Sequence, residues 1–370
     1  MWLADILTKN PMLLMVLAVC AFMMIAVVIV LRTRPLIPFL YAGARVSARS
    51  AYLIGEQQYT ALTSAGSFAE LKGALERTNY SELFRTIAED PDLMSLHSEL
   101  EKGFVKELEE VKGFSGVGLS HVLDTFVMMW EAKLIKTFAK ARMNGREPDE
   151  QFIFPVGCIT ERMIERLNGT KTVQDMGAVL ASTRFAPAFD RVSADIWEFE
   201  ITVDSFILEN FKRLSADAKV YDGRFMSDML AARFDMINII TILKKTISGE
   251  DLSLIPTGTD VEKLLREFKA DGEEREKRLA NSLKSTLYGE AMQKGYESFL
   301  DDGHYSHFEN ALHRAYMGLV KKNELMHYQG PFPIYAYLLR KEYEMRNLMV
   351  LSKGIQDRYT PEEKTEMMII

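Results

Sequence analysis

Two carboxylates stand in the most apolar stretches after the first forty residues: Glu131 in MMWEAKLI and Asp235 in FDMINIITIL. An isolated buried charge is very costly, so each must be paired or hydrogen-bonded. Two chemistries fit such a group. It is either an ion-carrying carboxylate in a membrane or pore, or a polar brace between packed helices. The flanking sequence is too charged for a lipid-embedded helix, and the brace is the reading taken. Glu344, in the helix-length run GPFPIYAYLLRKEYEMRNLMVLSKG, occupies the same place in a repeated pattern described below.

The usual signatures of other chemistry are missing. There is no Gly-x-x-x-x-Gly-Lys-Ser/Thr loop; NGTKT at Asn168 lacks the upstream glycine. GFSGVG, Gly113 to Gly118, follows a charged helical run rather than a strand and reads as a flexible loop. Among six histidines, His304 and His307 are spaced three apart after Asp301, and Glu324 with His327 forms one Glu-x-x-His. Helical di-iron sites use two such motifs plus two further glutamates, so one motif is insufficient. No nucleophile, base and orienting acid recur at a recognisable spacing. No catalytic residue, metal site, cofactor or small-molecule substrate is expected.

Bulk properties narrow the class. The 370 residues carry a formal charge of −7 with Lys and Arg interspersed, which offers no basic face for nucleic acid. Cys20 and Cys158 lie in unrelated contexts and do not suggest a disulfide. From Pro11 to Leu31 every residue is apolar. That run is long enough for a helix to cross a hydrocarbon core of about 30 Å. Lys9 stands alone before it, whereas Arg32, Arg34, Arg45 and Arg49 follow, so the long C-terminal portion is expected in the cytoplasm. The expectation is a single-pass cell-membrane protein with residues 1–10 outside and a lipid-contacting helix over 11–31. Residues 32–58 would hold a linker and the first soluble helix.

The remainder reads as all-α, with apolar residues three and four apart, as in Val261, Leu264, Leu265 and Phe268. It is also written three times. LTSAGSFAELKGALERTNYSELF from Leu62 aligns without gaps on LNGTKTVQDMGAVLASTRFAPAF from Leu167, and LKSTLYGEAM from Leu283 is a third copy. Leu75, Thr78 and Tyr80 fall opposite Leu180, Thr183 and Phe185, while Leu283, Thr286 and Tyr288 fill those places in the third copy. Each copy is followed by a longer run in which Glu131, Asp235 and Glu344 align. Three places on stand Leu134, Asn238 and Asn347, and FPVG and IPTG close the first two units. The expected units are 59–157, 158–258 and 259–370, arranged with pseudo-threefold symmetry because each can pack against the next as in a trimer. In the opening run of the third, Pro331 and Pro333 suit a helix start. Arg340 with Glu344, and Glu342 with Arg346, are spaced for i,i+4 pairs. Ile334, Leu338, Met345 and Leu348 form the buried stripe.

With these residues in view, the chain resembles the C subunit of A-type and bacterial V-type rotary ATPases, the counterpart of the d subunit in eukaryotic vacuolar ATPases. The resemblance rests on Gly330, Pro331 and Pro333, then Ala336 to Leu339, then Lys341, Glu342, Arg346, Asn347 and Leu348. At the other end it rests on Tyr41, Ala44, Arg45, Ala48 and Arg49. It runs from about Pro38 to the region of Tyr359. It implies a funnel of three helical subdomains, seated on the cytoplasmic face of the proteolipid ring and receiving the foot of the central stalk. Such a protein transmits torque and does no chemistry; its partners would be the central-stalk subunits and the proteolipid ring. Family members mostly begin near the equivalent of Pro38, so the apolar run is a departure. A rotating anchor outside the ring would strike the stator, which places 11–31 on the rotation axis within the ring. A membrane-anchored helical scaffold outside any ATPase is the alternative.

Overall fold

A computed structural model describes residues 11–88, 91–116, 119–190, 195–216, 222–245, 253–268 and 274–369. The expected outer segment 1–10, the loop end Val117–Gly118 and the end of the second repeated run at Gly249 lie outside these. Among the described residues the fold is all-α, with no strand beyond one isolated bridge between Val156 and Ile159.

Helix α1 (Pro11–Thr33) covers the apolar run, and a short 3-10 turn (Arg34–Leu36) leads into α2 (Ile37–Ser50). The described side chains of α1 from Met15 to Leu31 are exposed apart from the half-buried Ala26. Among the described residues no helix is long and apolar enough to cross a membrane, so the expected single crossing over 11–31 is not supported by the structure.

The body follows as three successions of helices. The first is α3 (Glu56–Ser64), α4 (Phe68–Leu75), α5 (Ser81–Thr86), α6 (Leu93–Phe114) and α7 (Ser120–Met143). The second is α8 (Glu161–Asn168), α9 (Val173–Leu180), a 3-10 turn (Ala186–Phe189), α10 (Ile196–Ser215) and α11 (Gly223–Lys245). The third is α12 (Asp260–Glu267), α13 (Arg275–Ser282), α14 (Gly289–Asp302), α15 (Ser306–Met326) and α16 (Phe332–Gln356), with α17 (Pro361–Met367) closing the chain.

Local chemistry sets the helix ends. Side-chain oxygens of Asp92, Thr160, Asp195 and Thr259 accept N–H groups from the first turns of α6, α8, α10 and α12, satisfying donors that lack intrahelical partners. α7 stops at Met143, and Asn144 is followed by Gly145 at φ +62°, a left-handed geometry that favours glycine.

Among the described residues, six helices of 20 residues or more that follow α2 pack in a closed succession: α6 on α7, α7 on α10, α10 on α11, α11 on α15, α15 on α16, and α16 back on α6. α16 also packs on α2 and α17. Its expected stripe of Ile334, Leu338, Met345 and Leu348 is buried, but so are Tyr335, Ala336, Tyr337, Leu339 and Leu351. A helix buried on several faces lies inside the body rather than on its surface, and its charged side chains must find partners there.

Candidate functional site

The same turn is built three times. The hydroxyls of Thr78, Thr183 and Thr286 donate to the carbonyls of Leu75, Leu180 and Leu283 at 2.7–2.8 Å. Each threonine oxygen then accepts the N–H of Tyr80, Phe185 or Tyr288 at 3.2 Å. A short side chain that both donates and accepts pins the chain after α4, α9 and α13 in one conformation. The ring that follows is buried each time.

The aligned acids lie on the last long helix of each succession, α7, α11 and α16, and each accepts hydrogen bonds from the segment that opens a succession: Glu131 and Glu344 from backbone N–H groups, Asp235 from threonine hydroxyls. Glu131 is fully buried; its Oε1 accepts the Cys158 N–H at 2.7 Å and a guanidinium N–H of Arg184 at 3.0 Å. Gly157, at φ +56°, is where the turn passes over this carboxylate. A Cβ there would stand 2.0 Å from Glu131 Oε1. The Cys158 thiol is pushed up, first by burial and then by Glu131.

Asp235 Oδ1 accepts the hydroxyls of Thr257 at 2.6 Å and Thr259 at 2.9 Å. Glu262 shares the Thr257 hydroxyl at 3.4 Å and accepts the Gly258 N–H at 2.6 Å. Burial raises the Asp235 carboxyl to about 6 against the lowering effect of the two hydroxyls, and Glu262 adds to the rise.

Glu344 Oε1 accepts the N–H of Ile54, and its Oε2 accepts the Tyr80 hydroxyl at 3.2 Å and the Lys341 ammonium at 3.0 Å. Lys341 also lies over the Tyr80 ring, 4.0 Å from its centroid. Ile54 shortly precedes α3. So α7 is tied to the entry of the second succession, α11 to that of the third, and α16 to that of the first.

Asn238 and Asn347, one turn further along, act alike. Asn238 exchanges two hydrogen bonds with the backbone of Ile255, both at 2.9 Å. Asn347 does so with Ile369, both at 2.8 Å. The C-terminal segment thus serves the third junction as the IPTG turn serves the second. Lys364 of α17 adds to it, donating to the carbonyls of Thr63 and Ala65.

The expected i,i+4 pairs on α16 do not form. Arg340 pairs with Glu324 and Glu342 with Arg233, both at 2.7 Å, while Arg346 donates to His313 Nε2 at 2.6 Å. The reason is burial on every face: each charge meets a different neighbouring helix before it can reach along its own. A neutral His313 then donates its Nδ1–H to the Tyr343 hydroxyl, 2.6 Å away, since guanidinium accepts no hydrogen bond. Pro331 and Pro333 sit at the start of α16 after Gly330 at φ +82°. Arg49 joins α2 to α6 through Glu107 at 2.5 Å and Glu110 at 2.8 Å, and Tyr337 of α16 donates to the same Glu107. Arg45 stacks over Phe114, 4.4 Å from the ring centroid.

The histidines are scattered. His307 meets Asp302, not Asp301, and His327 stacks on Phe225 while Glu324 faces Arg340. Among the described residues no group of three or more His, Cys, Asp and Glu side chains is placed to hold a metal ion. Sequence reading missed Arg184, Lys341 and Tyr80 as partners of the acids. Tyr80 could have been found, since its buried ring occupies a repeated position. Arg184 could not, because the aligned residues are Asn79 and Leu287.

This geometry defines a class: an all-α body in which buried polar groups on its long helices tie them to segments distant in sequence. Comparison with known proteins narrows it. A family model described as "ATP synthase (C/AC39) subunit" matches residues 42–367, and the chain belongs to that family. Among curated relatives, the C subunit of the A-type ATP synthase of Methanocaldococcus jannaschii is 26% identical over 352 residues, covering 90% of this chain and 87% of that protein. The protein of the same name from Pyrococcus abyssi is 25% identical over 343 residues, covering 90% of each chain. That from Methanothermobacter thermautotrophicus is 23% identical over 363 residues, covering 93% and 91%.

Proposed function

We propose that this chain is a non-catalytic coupling subunit of the central rotor in an A/V-type ATP synthase, joining the central stalk to the proteolipid ring. The observation that carries the reading is the Glu344 junction, which fastens the last long helix to the entry of the first unit. A torque-bearing element must not unwind under load. An open stack of helices would open at its ends, whereas a body whose ends are tied distributes strain around its circumference. Pseudo-threefold units around a socket, the funnel that the family resemblance implies, suit the reception of one stalk in one orientation.

The membrane contact belongs to the same reading. The backbone of α1 is 23 residues long, about 35 Å of helical rise. From Met15 to Leu31 its side chains are apolar and, Ala26 apart, exposed, which is unfavourable in water and natural in lipid. We infer a single crossing with the body on the cytoplasmic side and α1 on the rotation axis inside the ring.

The test is mild detergent extraction of native membranes, with affinity capture on this chain. Recovery of stalk, catalytic subunits and proteolipid ring in one particle is the expected result. Recovery of the chain alone, or with unrelated membrane proteins, overturns the coupling role and favours a membrane-anchored scaffold. Crosslinking from Cys20 tests the axis: capture of the ring's inner wall or its enclosed lipid is expected, and capture of peripheral stator overturns it.

A further inference from the structure

Exposed apolar side chains scattered singly need no explanation, whereas a cluster does. Beyond α1, six large exposed apolar residues among the described ones gather in two places. Ile37, Leu40 and Tyr41 lie on the first turns of α2. Leu325, Met326 and Tyr328 lie at the end of α15 and in the turn to α16, with Leu325 84% and Tyr328 71% exposed. The two places are neighbours. Leu36, Phe39 and Leu40 form one wall of a groove of about 410 Å³, and Tyr328, Gln329 and Gly330 form the other. Glu324, the carboxylate at this groove, is neutralised by Arg340.

We propose that the α15–α16 turn, together with the first turns of α2, rests in the lipid interface beside the end of α1. The inference rests on the reading of α1 as a membrane helix. Continuity selects lipid as the occupant. Leu36, in the groove wall, closes the 3-10 turn that ends α1, and Ile37 stands only about 9 Å of helical rise beyond Leu31. A surface that starts where a membrane helix stops faces the headgroup layer. Its composition suits that layer: tyrosines among Leu, Ile and Met, with Arg34 exposed at the junction. A second contact beside the end of α1 restricts the tilt and rotation of the body over the bilayer, which one helix on a short linker does not.

The experiment uses the full chain in its native complex, in lipid nanodiscs, with a nitroxide on single cysteines. Leu325→Cys and Tyr328→Cys are made with Cys20→Ser and Cys158→Ser. Tyr52→Cys, an exposed aromatic at the other end of α2, is the reference, and native Cys20 with Cys158→Ser reports on α1. Collision with oxygen, enriched in lipid, is compared with collision with a water-soluble nickel chelate. A ratio at 325 and 328 several-fold above that at 52 supports the proposal. A ratio equal to that at 52 overturns it, because the turn is then in water. Protection from both quenchers also overturns it, because a protein surface then covers the turn. If the label at Cys20 is itself outside lipid, the reading of α1 fails and takes this proposal with it. A lipid-exposed Cys20 with an aqueous position 325 removes this proposal alone.

Discussion

Glu344 Oε1 accepts the backbone N–H of Ile54 across 290 positions of sequence. The carboxylate that fastens α16 is thereby also the group that satisfies the chain just before α3. Three separate donors converge on it, from Ile54, Tyr80 and Lys341, and all are buried.

Replacing Glu344 by leucine leaves a buried ammonium, hydroxyl and amide without their acceptor. Breaking one side of a buried ion pair typically costs about 3–5 kcal/mol. Glu344→Leu should lower stability by that order, read as a shifted urea midpoint. Tyr80→Phe removes one hydrogen bond and should cost about 1 kcal/mol. An equal loss in both variants would show that the carboxylate is not the centre of the junction.

Two left-handed glycines separate backbone strain from crowding. At Gly145, φ +62°, an added methyl would meet nothing within 4 Å, while at Gly157 it would sit 2.0 Å from Glu131 Oε1. Gly145→Ala should cost about 1–2 kcal/mol, the backbone penalty alone. Gly157→Ala should add about 1–3 kcal/mol of overpacking, because Glu131 must leave the Cys158 N–H. Chemical denaturation of both variants gives the difference.

The helical class was readable because it is a pattern along the chain. A three- and four-residue period marks a helix, and an acid in apolar surroundings marks a required partner. The partners themselves were not readable. Arg184 stands 53 residues from Glu131, and Arg233 stands 109 from Glu342, so only the packing of α7 and α11 on their neighbours brings them together. The same limit explains α16, where i,i+4 spacing suggested Arg340 with Glu344 but all-round burial assigned Arg340 to Glu324. The closing role of Ile369 carried no signal at all, since it acts through its backbone.

Asp235 should make stability depend on acid in an uncommon direction. Its carboxyl is raised from 3.8 to about 6, so the folded chain holds a proton that the unfolded chain has released. The contribution is fully present below pH 3.8 and is lost as pH rises through about 6. Asp235→Asn keeps an oxygen acceptor for Thr257 and Thr259 without the charge. It should be more stable than the parent above pH 7, by on the order of 2–3 kcal/mol, and the advantage should vanish near pH 4. Urea midpoints of the two proteins across that range check it. A constant difference would mean that Asp235 does not titrate there.

His313 should act with the opposite sign. It is held well below its ordinary 6.5 by burial, with Arg346, Arg233 and Lys244 adding to the effect. The unfolded chain takes up a proton near pH 6.5 that the folded chain refuses. The stability it contributes is therefore complete above pH 6.5 and declines as pH falls, by about 1.4 kcal/mol per unit at full slope. His313→Gln should remove that slope while leaving the Asp235 dependence in place.

Arg49 tests how firmly α2 is held to the body. Its guanidinium spans Glu107 and Glu110 on α6, and Glu107 also takes the Tyr337 hydroxyl from α16, so one residue joins three helices. The arrangement needs a fork rather than a point charge, and a lysine ammonium at the same place cannot reproduce both contacts. Arg49→Lys should therefore resemble Arg49→Ala more than the parent. Because the pair is partly exposed, global stability should fall by only about 1 kcal/mol. The local effect should be larger: amide hydrogen exchange should rise along α2 in both variants and stay unchanged in α10 and α11. Under the coupling role proposed for this chain, α2 is the element through which a turning body would carry α1. Loosened exchange in α2 together with an intact complex would then separate the firmness of that link from assembly. If Arg49→Lys retains parental protection in α2, charge alone holds the helix and the fork is dispensable.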